Sequence, residues 1–328
     1  MQINDEQNTI GKKMTFNPLV SIIIPVYNGS NYLKEAIDSA LSQTYKNIEV
    51  VVVNDGSNDG GLTEQIALSY GDKIRYIYKE NGGVSSALNL GIEKMQGEYF
   101  SWLSHDDLYF ENKIEKQVML LEKNQAFLPN CIVYSQSMLV NGSGNKLKAR
   151  KYKYKAKVYS GKEFYSYNHK KAYPFCGLSF LVPKKAFIEC GNFNKEFKYI
   201  QDDIAWNSMF LNGYSVIVDK EILVKNRVHG AQVSVTKKDL WLTETIAYGK
   251  ILTDLFFNNY ERYKEELSAY YYWICFKNIK QVKNQIKSFL KKNKHYGFGY
   301  FIREKTALVK GKMFAFIRYL YVKFYKRR

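Results

Sequence analysis

Several carboxylates in this 328-residue chain stand where an apolar run gives way to a loop. The clearest case is Tyr99-Phe100-Ser101-Trp102-Leu103-Ser104-His105-Asp106-Asp107-Leu108-Tyr109, which stops abruptly at two adjacent acids. A buried strand of this kind delivers acid to its carboxyl end. In an open α/β sheet ligands collect there, and two carboxylates can hold a divalent cation against a bound diphosphate. The same acids also fit a plainer role, as caps of a helix whose apolar positions Phe110, Ile114, Val118 and Leu121 follow at helical spacing. The elements that precede them separate the two readings.

Val20–Val26 is a β-branched run containing Pro25, and the Asn28-Gly29-Ser30 that follows is turn chemistry leading into a helix. Tyr32, Leu33, Ala36, Ile37, Ala40 and Leu41 form one apolar helix face, with Glu35 near its positive end. Ile48–Val53 is a second strand, breaking off at Asn54-Asp55-Gly56-Ser57-Asn58-Asp59-Gly60-Gly61, a loop that holds acid and backbone amides together. A helix over Leu62–Tyr70, a strand over Ile74–Tyr78 and a helix opened by Asn81-Gly82-Gly83, with Ala87, Ile92 and Met95 inward, complete the pattern. Strand and helix alternate four times, which predicts a parallel, Rossmann-like sheet with right-handed crossovers. Four polar loops then share one sheet edge, and together they argue for a site more strongly than any one alone.

The three motifs Val20–Gly29, Val53–Gly60 and Glu80–Ser85, in this order and at these separations, resemble the nucleotide-binding half of an inverting family 2 glycosyltransferase of GT-A fold. The resemblance spans Leu19 to Val235 and implies a nucleotide-diphospho-sugar transferase with a mostly parallel central sheet. It places Pro25, Val26, Tyr27, Asn28, Glu35, Asp55, Gly56 and Ser57 around the nucleobase and ribose, with Asn81, Gly82, Gly83, Ser104 and His105 completing the nucleotide site. Two positions depart from the family. Ser104 takes the first acidic place of its Asp-x-Asp motif, so that Asp106 is the implied ligand of Mn²⁺ or Mg²⁺, and His105 is expected beside the site or at the surface rather than on the metal. Leu88 stands where many relatives carry Arg.

The second half is less regular. Ile132–Val140 reads as a strand, Asn141-Gly142-Ser143-Gly144 as a hairpin turn, and Lys146–Lys157 as a basic strand or loop. Pro174–Val182 is a turn of small residues around Gly177 entering a strand, and Lys184–Cys190 is a short helix stopped by Gly191. In Phe193–Trp206 acid again meets a helix start, and by spacing Asp202 is an N-cap. The resemblance instead makes Asp202 the catalytic base, with Asp203 its competitor and Asp107 and Gly177 on the acceptor side. Tyr214–Val218 and Ile222–Arg227 are expected as two strands. The segment Arg227–Ser234 resembles the one that closes the family's site, so His229 is a candidate to complete the metal shell.

Composition bounds the rest. Hydrophobic residues make up 46% of the chain and aromatics 16%, which predicts an ordered chain with a sizeable core. Net charge is +18, and residues 236–328, with 21 Lys or Arg against 7 Asp or Glu, carry +14 of it. The division expected is an extension without order over 1–18, a catalytic domain over 19–235 (nucleotide half 19–109, acceptor half 110–235) and a basic helical region over 236–328. In that last region Met313, Phe316, Ile317, Leu320, Tyr321 and Phe324 form an apolar stripe suited to an anionic membrane surface, to a second copy in a homodimer or to the chain's own domain. Cys131, Cys176, Cys190 and Cys275 are widely spaced, as core residues of a reducing compartment are. The N-terminus lacks an apolar signal segment and no apolar run is long enough to span a bilayer, so the expected location is cytoplasmic, or peripheral on the membrane's cytoplasmic face.

The activity expected is transfer of a sugar from a UDP-sugar or similar donor to a glycan or lipid-linked acceptor, in the building of a bacterial surface polysaccharide. The competing expectations are a nucleotide-sugar binder without catalysis and a basic scaffold for RNA or membrane. Nucleic acid is disfavoured because the loops at the strand ends are acidic while the basic residues lie in the tail.

Overall fold

The protein is described here as a computed structural model covering residues 16–150, 154–171, 176–230, 232, 238–295, 297 and 302–313. Strand β1 (Val20–Val26) is buried along its whole length, as its β-branched sequence requires of a strand covered on both faces. It pairs in parallel with β2 (Ile48–Asp55) on one side and β4 (Tyr99–Trp102) on the other, and β3 (Arg75–Lys79) extends the sheet beyond β2. Helices α1 (Leu33–Leu41), α2 (Leu62–Leu68) and α3 (Val84–Lys94) make the crossovers.

The order β3-β2-β1-β4 means that the chain reverses direction across β1. Pairing of β1 with β2 runs to Val26 and Asn54, whereas pairing with β4 stops at Ile23 and Trp102. Strand β1 therefore runs on beyond its last pairing with β4 at the carboxyl edge of the sheet. This switch point is where open α/β sheets bind ligands.

The second half contributes β5 (Leu108–Tyr109), α4 (Lys113–Lys123), β6 (Cys131–Val140), β7 (Lys146–Arg150), β8 (Val158–Tyr159), α5 (Gly161–Lys171), β9 (Phe180–Pro183), α6 (Lys184–Cys190), α7 (Gln201–Leu211) and β10 (Ser215–Arg227). Strand β9 lies antiparallel between β4 and β6, and β10 lies parallel to β6 and antiparallel to β5 and β8. One sheet therefore joins both halves. Where two strands were expected near the end, β10 is a single strand. Its register slips between Val218 and Val224, so Asp219, Lys220 and Glu221 bulge out without ending the ladder.

The C-terminal tract forms α8 (Lys238–Asn258), α9 (Tyr260–Phe276) and α10 (Lys280–Lys292), followed by a helix over 302–313. Helix α9 packs on α5, and Leu252, Phe256, Leu267, Ile274, Val282, Ile286 and Leu290 belong to the same buried cluster as β1 and β2. Described residues on both sides of the expected 235/236 boundary thus share one apolar core. The stripe from Phe316 onward lies outside the described residues, and Met313 is exposed. Among the described residues no helix is long and apolar enough to cross a membrane.

The N-terminal expectation needs a correction. Residues 1–15 lie outside the described part, but Phe16 is half-buried and Pro18 buried. The Phe16 ring meets Tyr99 edge-on at 6.4 Å, and the Tyr45 hydroxyl donates to the Pro18 carbonyl at 2.6 Å. All four cysteines are free, three of them buried.

Candidate active site

The loops after β1 and β2 are tied together. The side-chain amide of Asn28 donates to Asn58 Oδ1 at 2.7 Å, the Asn58 N–H returns a bond to Asn28 Oδ1 at 2.8 Å, and the Asn28 N–H donates to Ser57 Oγ at 2.9 Å. Tyr27 projects from this junction with 44% of its surface exposed, a ring face open to a flat ligand. Pro25 and Val26, expected as nucleotide contacts, have side chains buried in β1. What they offer the sheet edge is backbone, beyond the last pairing of β1 with β4.

Asp55, expected to meet the nucleotide, holds the neighbouring loop. Its carboxylate is buried, accepts the N–H of Gly82 at 3.0 Å and of Gly83 at 2.7 Å, and pairs with Lys79 Nζ at 2.6 Å. The Asn81 side chain donates to the Asp55 carbonyl at 2.8 Å. Asn81, Gly82 and Gly83 lie exposed above it, so Asp55 fixes the shape of the loop beside the strand ends. Gly56 makes the approach possible, since it sits at φ +69° and a Cβ there would stand 2.6 Å from the Asn81 nitrogen.

The acids after β4 separate by function. They are not helix caps, because α4 begins at Lys113. Asp106 Oδ2 lies 2.9 Å from His229 Nε2 and accepts the Gln232 side-chain amide at 3.2 Å. Burial works to raise Asp106, but the charge of His105 and the bonds from His229 and Gln232 prevail and hold it below the usual carboxylate range. Asp107, placed by the sequence on the acceptor side, turns inward instead, accepting the Arg227 N–H at 2.6 Å and the Asn226 amide at 3.1 Å. Burial first, then the charge of Asp106, push it well above its ordinary value.

His105 is half-buried, with its ring so close to Gly29 that a Cβ there would touch Cδ2, and burial lowers its proton affinity. It is not a surface residue. Ser104 is half-buried and its carbonyl accepts the Asp107 N–H at 3.1 Å, which forms the turn of this loop. Leu88 is fully buried on α3, so the position faces the core.

Glu35, expected near the ribose, pairs with Arg227 at 2.8 Å across 192 residues. The Arg227 guanidinium is 1% exposed, lies 4.1 Å from the centre of the Tyr32 ring and donates to the Gly142 carbonyl at 2.6 Å. Helix α1, the β6–β7 turn and the end of β10 are thereby clamped beside Asp106 and His229.

Asp202 lies in the first turn of α7, two residues beyond the cap position held by Ile200, so it is not an N-cap. A Cβ added at Gly177 would stand 2.8 Å from Asp202 Oδ2 and 3.1 Å from Trp102 Cζ3. The carboxylate therefore sits over the end of β4, the strand whose loop carries Asp106. Burial pushes it up to about 6, against the N–H groups of Asp203 and of Asp202 itself. Asp203 is turned about 100° around the helix. Burial and the adjoining charge of Asp202 raise it, while Lys277 from the end of α9 opposes them. The two acids thus have different surroundings, and the one facing Gly177 is Asp202.

A metal is implied by the fold family, and Asp106 with His229 would hold it. No group of three or more His, Cys, Asp or Glu capable of holding a metal occurs among the described residues. Two protein ligands nonetheless suit Mg²⁺ or Mn²⁺, which commonly take one or two side chains and complete their shell with substrate phosphate and water. Sequence reasoning gave no individual role here to Asn58, Lys79, Gln232 or Arg227, although Arg227 and Gln232 lie in the segment read as closing the site. The Asn28–Asn58 reciprocity could have been sought in the two polar loops, but nothing local marks the partners of Arg227 or Gln232.

The family model for glycosyl transferase family 2 matches residues 21–188. An uncharacterized glycosyltransferase of Rickettsia typhi is 50% identical over 230 residues, covering 69% of this chain and 69% of the relative. One of Rickettsia conorii is 52% identical over 219 residues, covering 67% of this chain but only 35% of the relative, so the alignment spans about a third of that longer protein. Among solved structures, S. aureus TarS 1-349 in complex with UDP-GlcNAc overlays with a TM-score of 0.59 at 15% identity, over 88% of this chain and 89% of that one. At that identity the likeness concerns the fold.

Proposed function

This chain belongs to glycosyl transferase family 2, and from that premise we propose that it moves a sugar from a UDP-sugar to a hydroxyl of a glycan or lipid-linked acceptor, with inversion at the anomeric carbon. The observation that carries the reading is Asp202, a carboxylate of raised proton affinity lying against Gly177 and Trp102 over the end of β4.

The nucleotide lies at the carboxyl edge where β1 and β4 stop pairing. Tyr27 offers its exposed ring to the base, and the exposed Asn81-Gly82-Gly83 loop, whose Gly82 and Gly83 N–H groups are held by Asp55 beneath it, borders the donor. Asp202 takes the proton from the acceptor hydroxyl as that oxygen attacks from the face opposite the diphosphate, and a single displacement inverts the centre. Asp106 and His229 would hold Mn²⁺ or Mg²⁺, which would supply charge to offset the negative charge growing on the leaving diphosphate.

The test is thermal stability of the protein with UDP, GDP and CMP, each with and without Mn²⁺. A ligand at 100 times its dissociation constant adds roughly 2.7 kcal/mol to the native state. UDP is expected to stabilise in the presence of metal, and Asp106→Ala to abolish that gain. A midpoint moved by anionic vesicles and by none of the nucleotides overturns the reading. UDP binding with no turnover on any acceptor favours the binder without catalysis, a reading motivated by Ser104 at the first acidic position.

A further inference from the structure

Glu244 belongs to α8, beyond the residues that match the family, yet its carboxylate reaches back to the loop that launches the helix of the proposed base. Its Oε1 accepts the N–H of Lys198 at 2.7 Å, and its Oε2 accepts those of Tyr199 at 2.9 Å and Ile200 at 3.1 Å. These three residues run straight into Gln201, the first residue of α7, and Asp202 follows. Ile200 occupies the cap position and makes no side-chain capping bond. Glu244 is buried, so all three are charge-assisted bonds made largely out of water. Without them three consecutive backbone donors need new partners, and the start of α7 is free to settle elsewhere.

We propose that Glu244 is a positioning residue for Asp202. By fixing the backbone of residues 198–200 it sets where the first turn of α7 begins, and so where the Asp202 carboxylate stands against Gly177 and Trp102. The inference rests on the reading of Asp202 as base. A second group from the same tract acts at the neighbouring position, since Lys277 at the end of α9 favours the ionised form of Asp203 against its burial. The C-terminal helices are on this account part of the catalytic apparatus. Glu244 makes no described bond to the loops after β1, β2 or β4, so donor binding is independent of it.

Glu244→Ala and Glu244→Gln in the full chain test this. The readouts are UDP release from UDP-N-acetylglucosamine with Mn²⁺, the thermal shift given by UDP, and hydrogen exchange of the amides of residues 198–200. A displacement near 1 Å at a reacting group can cost on the order of 100-fold. Glu244→Ala is therefore expected to lower kcat by roughly 10- to 100-fold, with the donor KM and the UDP shift within about two-fold of wild type and the three amides exchanging faster. Glu244→Gln keeps one acceptor oxygen and recovers part of the rate, and it serves alone if the alanine variant does not fold. Turnover within two-fold of wild type in the substituted protein overturns the proposal, as does a fall in UDP binding that parallels the fall in kcat. Asp202→Asn, measured alongside, separates the two ways of failing. Wild-type turnover in Asp202→Asn removes the base assignment, whereas an inactive Asp202→Asn beside a fully active Glu244→Ala removes only the clamp.

Discussion

Asp107 accepts the backbone N–H of Arg227 at 2.6 Å, a bond that fastens the loop after β4 to the end of β10 across 120 residues. It lets Asp106 and His229 meet, because Arg227 is two residues from His229 and Asp107 adjoins Asp106. Asp107→Asn retains one acceptor but turns an amide toward the Asn226 amide, so it is expected to cost about 1 to 3 kcal/mol in urea unfolding. Asp107→Ala leaves the Arg227 donor unpaired and costs more. Equal stability of all three proteins would remove the fastening role.

The rate should carry the titration of Asp202. The base form is the carboxylate, and burial pushes its protonation up to about 6, so kcat/KM rises with pH through that region and levels off above it. Asp202→Asn should lower the plateau by roughly 100- to 10,000-fold. A rate that is flat between pH 5 and 8 in the wild type excludes Asp202 as the titrating base.

Gly177 leaves no room for a side chain beside the base. A Cβ there would stand 2.8 Å from Asp202 Oδ2 and 3.1 Å from Trp102 Cζ3, tighter than side chains tolerate. Gly177→Ala is expected to displace the carboxylate and lower turnover about 10-fold or more, with the UDP-induced thermal shift unchanged. Loss of UDP binding in this variant would show that the contact belongs to the donor side instead.

Lys113 is fully buried, donates to Ser101 Oγ at 2.8 Å and Gln117 Oε1 at 2.9 Å, and is pushed down to about 7 by burial. An unfolded lysine keeps its proton to about pH 10.4, so between pH 7 and 9 the unfolded chain binds the proton and the native state releases it. Stability therefore rises with pH over that interval, by on the order of 2 kcal/mol. Urea unfolding of the wild type and of Lys113→Met at pH 7, 8 and 9 should show a rise in the first that is missing in the second. Parallel pH dependences in the two proteins would mean that Lys113 stays charged.

The first four strands were readable because their signals are local. Val20–Val26 and Ile48–Val53 are β-branched runs that only a doubly covered strand can bury, and each ends in residues that suit turns. The acids at the strand ends could be located for the same reason. Their functions could not, because a carboxylate that faces a ligand and one that accepts a backbone N–H look alike in sequence. Asp55, Asp107 and Glu35 all carry structural bonds that come from elements 24 to 192 residues away.

By itself the sequence determined that four strands alternate with helices, that their polar loops share one edge, and that a helix starts close to Asp202. Those properties follow from periodicity and turn chemistry within a few residues. The tertiary structure alone decided that β9 joins the two halves, that β10 passes through a bulge as one strand, that Asp106 meets His229 while Asp107 turns inward, and that Glu244 grips the loop before Asp202. Each of these depends on which backbone donors and acceptors are left free once the sheet is assembled, and strand order is not written in any local stretch of the chain.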